Sequence, residues 1–164
     1  MRIEESIVID RAAEDVFDFF SQRSNDVIWM GVVEESEWLE PARAAGLSRR
    51  GRMVIKAGGR RSEYIDEVTA WEPGRLVAHR TVEGPMALNT ACLAEPAGEG
   101  RCRATVSAAT EPNGVLAKLT DPIVARAMRR SFRADLARLK EILENEPAQR
   151  PPEGAVGAPV TASE

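Results

Sequence analysis

Residues 7–29 read IVIDRAAEDVFDFFSQRSNDVIW, and this run decides the fold. Ile3, Ile7 and Ile9 fall on one side of the alternating residues 2–10, which predicts a strand with one buried face. The period then changes. Val16, Phe17, Phe19 and Phe20 form the apolar side of a helix expected over about 12–21, with Asp10 as its cap. A second short turn is expected around 25–29. A strand, a sharp corner and two short helices therefore open the chain.

Beyond this run the period of two returns. Residues 32–39 and 52–57 read as strands, and Gly58-Gly59 is a hairpin turn signal. Residues 61–71 and 75–82 are two more, joined through Glu72-Pro73-Gly74, and Gly84-Pro85 turns the chain again. Residues 86–94 and 101–110 form a further pair, linked by Pro96-Ala97-Gly98-Glu99-Gly100. The total is about seven strands, mostly in hairpins, so the sheet is expected to be antiparallel. From Val115 the spacing becomes helical: Val124, Met128, Phe132, Leu136, Leu139 and Leu143 recur every three or four residues, to about Glu144. Asp121-Pro122 starts or kinks this helix and Pro147 stops it. Residues 147–164 are rich in Pro, Ala and Gly without periodicity, which predicts a disordered tail behind a domain of residues 1–146.

Composition narrows the function classes. At 164 residues, with 43% hydrophobic and 29% charged side chains, the chain suits one soluble domain with a real core. A net charge of −4 gives no basic field for nucleic acid. No apolar run approaches the ~20 residues of a membrane span, and the N-terminus is acidic and alternating, unlike a secretory signal, so the cytoplasm is the expected location. His79 is the only histidine, which excludes a multi-histidine zinc site. No glycine-rich phosphate loop, GxSxG elbow or HExxH motif is present, and no cofactor is expected.

The segments IVIDRAAEDVFDFFSQ, WEPGRLVAHRTVEGP, AEPAGEGRCRATVSA and ARAMRRSFRADLARLKEILE resemble, in that order, the first strand and helix, the central hairpin, the last hairpin and the terminal helix of the START-like superfamily. This is the SRPBCC group, also called the polyketide cyclase/dehydrase and lipid-transport superfamily. Trp29 stands where that family usually has a tryptophan; Ala12 and Ala13 replace its usual prolines after the first strand. The resemblance covers residues 1–144. It implies an α+β helix-grip fold, a curved seven-stranded antiparallel sheet wrapped around a long C-terminal helix, with two short helices after the first strand and a cavity between sheet and helix. It also implies a choice of roles: carriage of a lipid- or polyketide-like ligand, cyclase or dehydratase chemistry, or protein contacts like those of ribosome-directed toxins and chaperone activators.

Alternation along the strands says which side chains can line such a cavity. Cys102, Ala104, Val106 and Ala108 share one face, and Met86, Leu88, Thr90 and Cys92 share another. Small residues opposite a helix leave either a void or a closer helix. The ligand-contacting set expected is Trp29, Met53, Ile55, Tyr64, Val77, His79, Leu88, Thr90, Val106, Val124 and Met128. A hairpin centred on Ala97 would set Cys92 opposite Cys102, as a redox pair or as two buried apolar fillers.

On the central hairpin, Tyr64, Asp66, Val68 and Ala70 are expected inside, with Val77, His79 and Thr81 on the partner strand. A turn centred on Glu72-Pro73 pairs Val68 with Val77, Asp66 with His79 and Tyr64 with Thr81. Asp66, His79 and Tyr64 are thus the catalytic candidates, able to orient a carbonyl or move a proton; the alternative is an ordinary cross-strand pair. Trp29 either borders the cavity mouth or packs on the long helix, and Trp38 and Trp71 read as structural. Arg126, Arg129, Arg130 and Arg133 form a helical stripe that is either a solvated face or a surface for acidic lipid, RNA or a protein. The reading that follows is binding of a small hydrophobic molecule, with no nucleic acid and no integral membrane association, and with a homodimer left open.

Overall fold

The computed structural model describes residues 2–41, 47–110 and 122–145. Seven strands appear: β1 Arg2–Ile9, β2 Val33–Trp38, β3 Arg50–Ala57, β4 Arg60–Glu72, β5 Leu76–Glu83, β6 Leu88–Pro96 and β7 Cys102–Thr110. The helices are α1 Ala13–Phe20, α2 Asp26–Trp29 and α3 Pro122–Asn145, with a 3₁₀ turn Arg23–Asn25 before α2. The sheet is antiparallel throughout, in the order β1-β7-β6-β5-β4-β3-β2. This is the curved seven-stranded sheet and long terminal helix that the sequence predicts. The helical pattern from Val115 to Asp121 and the expected tail at 147–164 lie outside the described residues.

Asp10 does not cap α1. Ala12 holds the N-cap position with no side-chain bond, and the Asp10 backbone N–H instead donates to Glu144 Oε1 at 2.8 Å. The corner thus ties the end of β1 to the end of α3, aided by Lys140 Nζ donating to the Val8 carbonyl at 2.7 Å.

Two hairpins differ in register from the sequence reading, for the same reason. Glycines at positive φ move the turn centres. Gly74 (φ 75°) centres the β4–β5 turn, so Glu72 pairs with Leu76. Gly98 (φ 113°) and Gly100 (φ 63°) centre the β6–β7 turn on Glu99, so Pro96 pairs with Cys102 and Cys92 with Val106. Cys92 and Cys102 are therefore not opposite each other, and both are free thiols.

In β4 an irregularity between Val68 and Ala70 then changes which side chains share a face. Val68 pairs with His79 and Asp66 with Thr81, whereas Trp71 pairs with Val77. Without the extra residue, Val68 would face Arg80. The bulge turns His79 to the face of Asp66 and Val68, and sends Arg80 outward beside Glu67. It also reverses the expectation for Ala70. Trp71, not Ala70, points into the core, where its ring meets Phe17 edge-on at 5.4 Å.

Helix α3 has two unlike halves. Leu136, Leu139 and Leu143 are buried and complete a core with Ile9, Val16, Phe17, Phe20, Val77, Ala94 and Cys102. Val124, Met128 and Phe132, one to three turns earlier, are only half-buried. They roof a hollow.

Candidate functional site: a cavity with one polar pole

The hollow has a volume of about 580 Å³ and lies between α3, α2 and the inner faces of β2 to β7. All eleven residues expected to contact a ligand line it: Trp29, Met53, Ile55, Tyr64, Val77, His79, Leu88, Thr90, Val106, Val124 and Met128. Of the two outcomes left open for the inward residues of β7, the void lies beside Val106 and Ala108, while Cys102 and Ala104 are packed in the core with Leu136 and Leu139. Trp29 is fully buried in the core cluster and lines the cavity.

Most of this wall is apolar. The exception is a pole where four strands meet α2. Cross-strand neighbours run Trp38, Gly51, Asp66, Thr81 along β2 to β5. Gly51 leaves a gap in this row, and the Arg23 guanidinium lies in it. A methyl group on Gly51 would stand 2.6 Å from Arg23 Nη2 and 2.8 Å from its Cζ and Nε. From that slot Arg23 Nη2 donates to Asp66 Oδ1, while Nη1 is 3.5 Å from Asp26 Oδ2. Ser36 donates its hydroxyl to the same Asp26 oxygen at 2.6 Å. The Trp38 ring has the Arg23 guanidinium 5.1 Å and the Arg49 guanidinium 4.0 Å from its centroid. Arg23, Asp26 and Asp66 are all less than one-tenth exposed.

Asp66 and His79 are diagonal neighbours rather than opposed, yet they meet. His79 Nδ1 is 3.4 Å from Asp66 Oδ1 and 3.5 Å from Arg23 Nη2. Burial alone would raise the Asp66 carboxyl; the His79 hydrogen bond and the Arg23 charge outweigh it and hold the group below its ordinary value. A carboxylate at that position favours the proton on Nδ1, which leaves Nε2 as the free ring nitrogen. Asp26 goes the other way: burial pushes its carboxyl up, against Arg23 and Ser36. Tyr64 is buried one inward position along β4 from Asp66, and burial raises its phenol. Its hydroxyl has no protein partner among the described residues, and neither have those of Thr81 and Thr90. The expected pairing of Tyr64 with Thr81 does not form; Thr81 faces Asp66, and Tyr64 pairs with Met53 across β3.

Three members of the pole were not foreseen: Arg23, Asp26 and Trp38. Trp38, read as structural, lines the cavity. One signal was available. An isolated glycine inside a strand, here Gly51 in RGRMVIKA, marks a close approach of another group.

On the opposite wall Asp135 of α3 accepts from the Gly31 N–H at 2.8 Å, and burial raises its carboxyl. Cys92 also faces the cavity; burial, with the nearby Asp26 charge, pushes its thiol up to about 12. The arginine stripe is partly engaged, Arg133 Nε with Glu5 at 2.8 Å and Arg129 with Glu5 at 3.4 Å. Among the described residues there is no metal-binding cluster and no helix long and apolar enough to cross a membrane.

A curved sheet gripping a long helix over a lined void is the START-like, helix-grip architecture. The chain belongs to the polyketide cyclase/dehydrase and lipid transport family, whose sequence profile matches residues 1–144. Solved structures agree on the fold. A protein of Thermus thermophilus superposes with a TM-score of 0.71 at 19% identity, covering 86% of this chain and 95% of that one. The Zhui aromatase/cyclase of a Streptomyces species gives 0.68 at 18% identity, covering 88% and 93%. A START superfamily protein of Mycobacterium smegmatis gives 0.69 at 12% identity, covering 86% and 98%. Comparison with curated protein sequences gives no match.

Proposed function

We propose that this protein binds a small hydrophobic ligand, polyketide- or lipid-like, in the cavity beneath α3. The observation that carries this reading is the void itself: about 580 Å³, walled mostly by apolar side chains, with a cluster of hydrogen-bonding groups at one pole. Pockets of this size and character hold molecules of roughly drug size. A family whose description includes lipid transport supports the reading. The neutral fluorophore N-phenyl-1-naphthylamine is expected to bind saturably with one site per chain, and mass spectrometry of an organic extract of the native protein should return a defined small molecule. Non-saturable, surface-type binding would count against it.

A second reading is favoured by one contact, His79 Nδ1 against Asp66. In a cyclase or dehydratase, Nε2 would take a proton from carbon beside a ketone, with Asp66 holding the ring and the Tyr64 phenol donating to the carbonyl oxygen. His79→Gln should then abolish turnover of a polyketone while leaving its binding intact. Unchanged turnover would remove His79 from the chemistry.

A further inference from the structure

The ionisable groups of the cavity wall decide what kind of polar end a ligand can bring. Among the described residues, Arg23 and Lys56 are the arginine and lysine side chains that line the cavity, and they face Asp26, Asp66 and Asp135. Neither cation is available. Arg23 is buried and its Nη atoms are divided between Asp66 and Asp26; its Nε has no hydrogen-bond partner but is itself closed off. Lys56 is more than half exposed and 3.5 Å from Glu34. If His79 takes up a second proton, that charge lies against Asp66. An entering carboxylate would therefore lose its hydration, meet an excess of negative charge and find no cation without a partner.

A neutral oxygen meets the opposite situation. Tyr64, Thr81 and Thr90 line the same cavity, and the hydroxyl of none has a protein partner among the described residues. Each can donate to a carbonyl or exchange hydrogen bonds with a hydroxyl. Tyr64 remains a phenol at neutral pH because burial raises it further.

We propose that the cavity selects neutral apolar molecules carrying a carbonyl or hydroxyl oxygen and rejects carboxylates of the same chain length. This rests on the cavity-binding reading above and names its ligand class. The ligand would be an alcohol, ketone, ester or phenol rather than a free fatty acid.

The test uses the full chain at pH 8, where dodecanoate is fully ionised. N-Phenyl-1-naphthylamine is bound first, then displaced by 1-dodecanol, methyl dodecanoate or dodecanoate, each below its micelle concentration. The two neutral compounds should displace the probe at concentrations at least tenfold lower than dodecanoate. Equal or tighter displacement by dodecanoate would overturn the inference, as would failure of both neutral compounds to displace a saturably bound probe. Absence of saturable probe binding is a different result, which removes the cavity-binding reading and this inference with it. Asp66→Asn releases one claim on Arg23, and Asp135→Asn removes a charge from the opposite wall. Either should tighten dodecanoate several-fold relative to dodecanol. An unchanged ratio in both variants would refute the electrostatic basis.

Discussion

Gly51→Ala adds one methyl group to the inner face of β3, and the structure says what that methyl meets. It would stand 2.6 to 2.8 Å from three atoms of the Arg23 guanidinium. A guanidinium on the surface would swing aside at little cost. This one is buried, bonded to Asp66, paired with Asp26 and set against the Trp38 ring, so moving it breaks the pair. Breaking a buried ion pair costs about 3–5 kcal/mol, and the strand gains back roughly 0.5–1 kcal/mol because alanine suits a strand better than glycine. The expected net loss is about 2–4 kcal/mol. With a urea dependence of about 2 kcal/mol per molar, the middle of the usual range, the unfolding midpoint followed by circular dichroism should fall by roughly 1–2 M. The control is Arg23→Gln. If the methyl acts through Arg23, the double variant is no less stable than the worse single variant. Additive losses, or a Gly51→Ala midpoint within ~0.2 M of the parent, would refute the reasoning.

Ala108→Leu projects a side chain from β7 into the void, where each buried CH₂ contributes about 0.8 kcal/mol. Stability should hold or rise while probe binding weakens at least tenfold, and tight binding with a destabilised fold would contradict the cavity assignment. Cys92, with its thiol pushed up to about 12 by burial and the nearby Asp26 charge, should not react with Ellman's reagent at pH 8 until urea unfolds the chain; fast labelling of the native protein would be the contrary result. For Asp135, burial outweighs Gly31 and Arg138 and raises the folded value above the ordinary 3.8, so the ionised group costs stability above that raised value. Asp135→Asn keeps an acceptor for Gly31; it should raise the urea midpoint at pH 7, with the gain fading as pH falls through the raised value and gone below 3.8, and a pH-independent difference would argue against it.

Most of the fold was legible because it rests on periodicity. The alternation in β1 to β7 and the three-to-four spacing of Leu136, Leu139 and Leu143 are local properties of the chain. So is inward parity, which placed Val106 and Thr90 on the wall without knowledge of exact pairing. Exact pairing is another matter. It depends on where a glycine takes positive φ and on whether a strand carries an extra residue. Gly74 moved the β4–β5 turn and the bulge before Ala70 moved it back in parity, so Asp66 and His79 kept a shared face while losing their direct pairing. Arg23 could not be found by strand parity at all, because it reaches the sheet from the 3₁₀ turn. Its place is marked in sequence only by the side chain that Gly51 lacks.

The polar pole and the void have separate structural causes, and this bears on how a ligand can be held. Helix α3 is tied to β1 and to the segment just after α2, through Arg133 to Glu5 and Asp135 to Gly31. Its C-terminal leucines are anchored in the core with α1, which fixes the height of the helix. The small side chain of Ala108 then borders the space, while Ala104 is packed in the core. The pole, in contrast, is built by α2, the 3₁₀ turn and β2 to β5, without α3. A change in α3 can therefore alter cavity volume and leave Arg23, Asp66 and His79 in place, while a change at Gly51 disturbs the pole beneath an unchanged roof. Size selection and polar recognition are thus carried by different segments of the chain, and variants of the two kinds should combine additively in ligand binding.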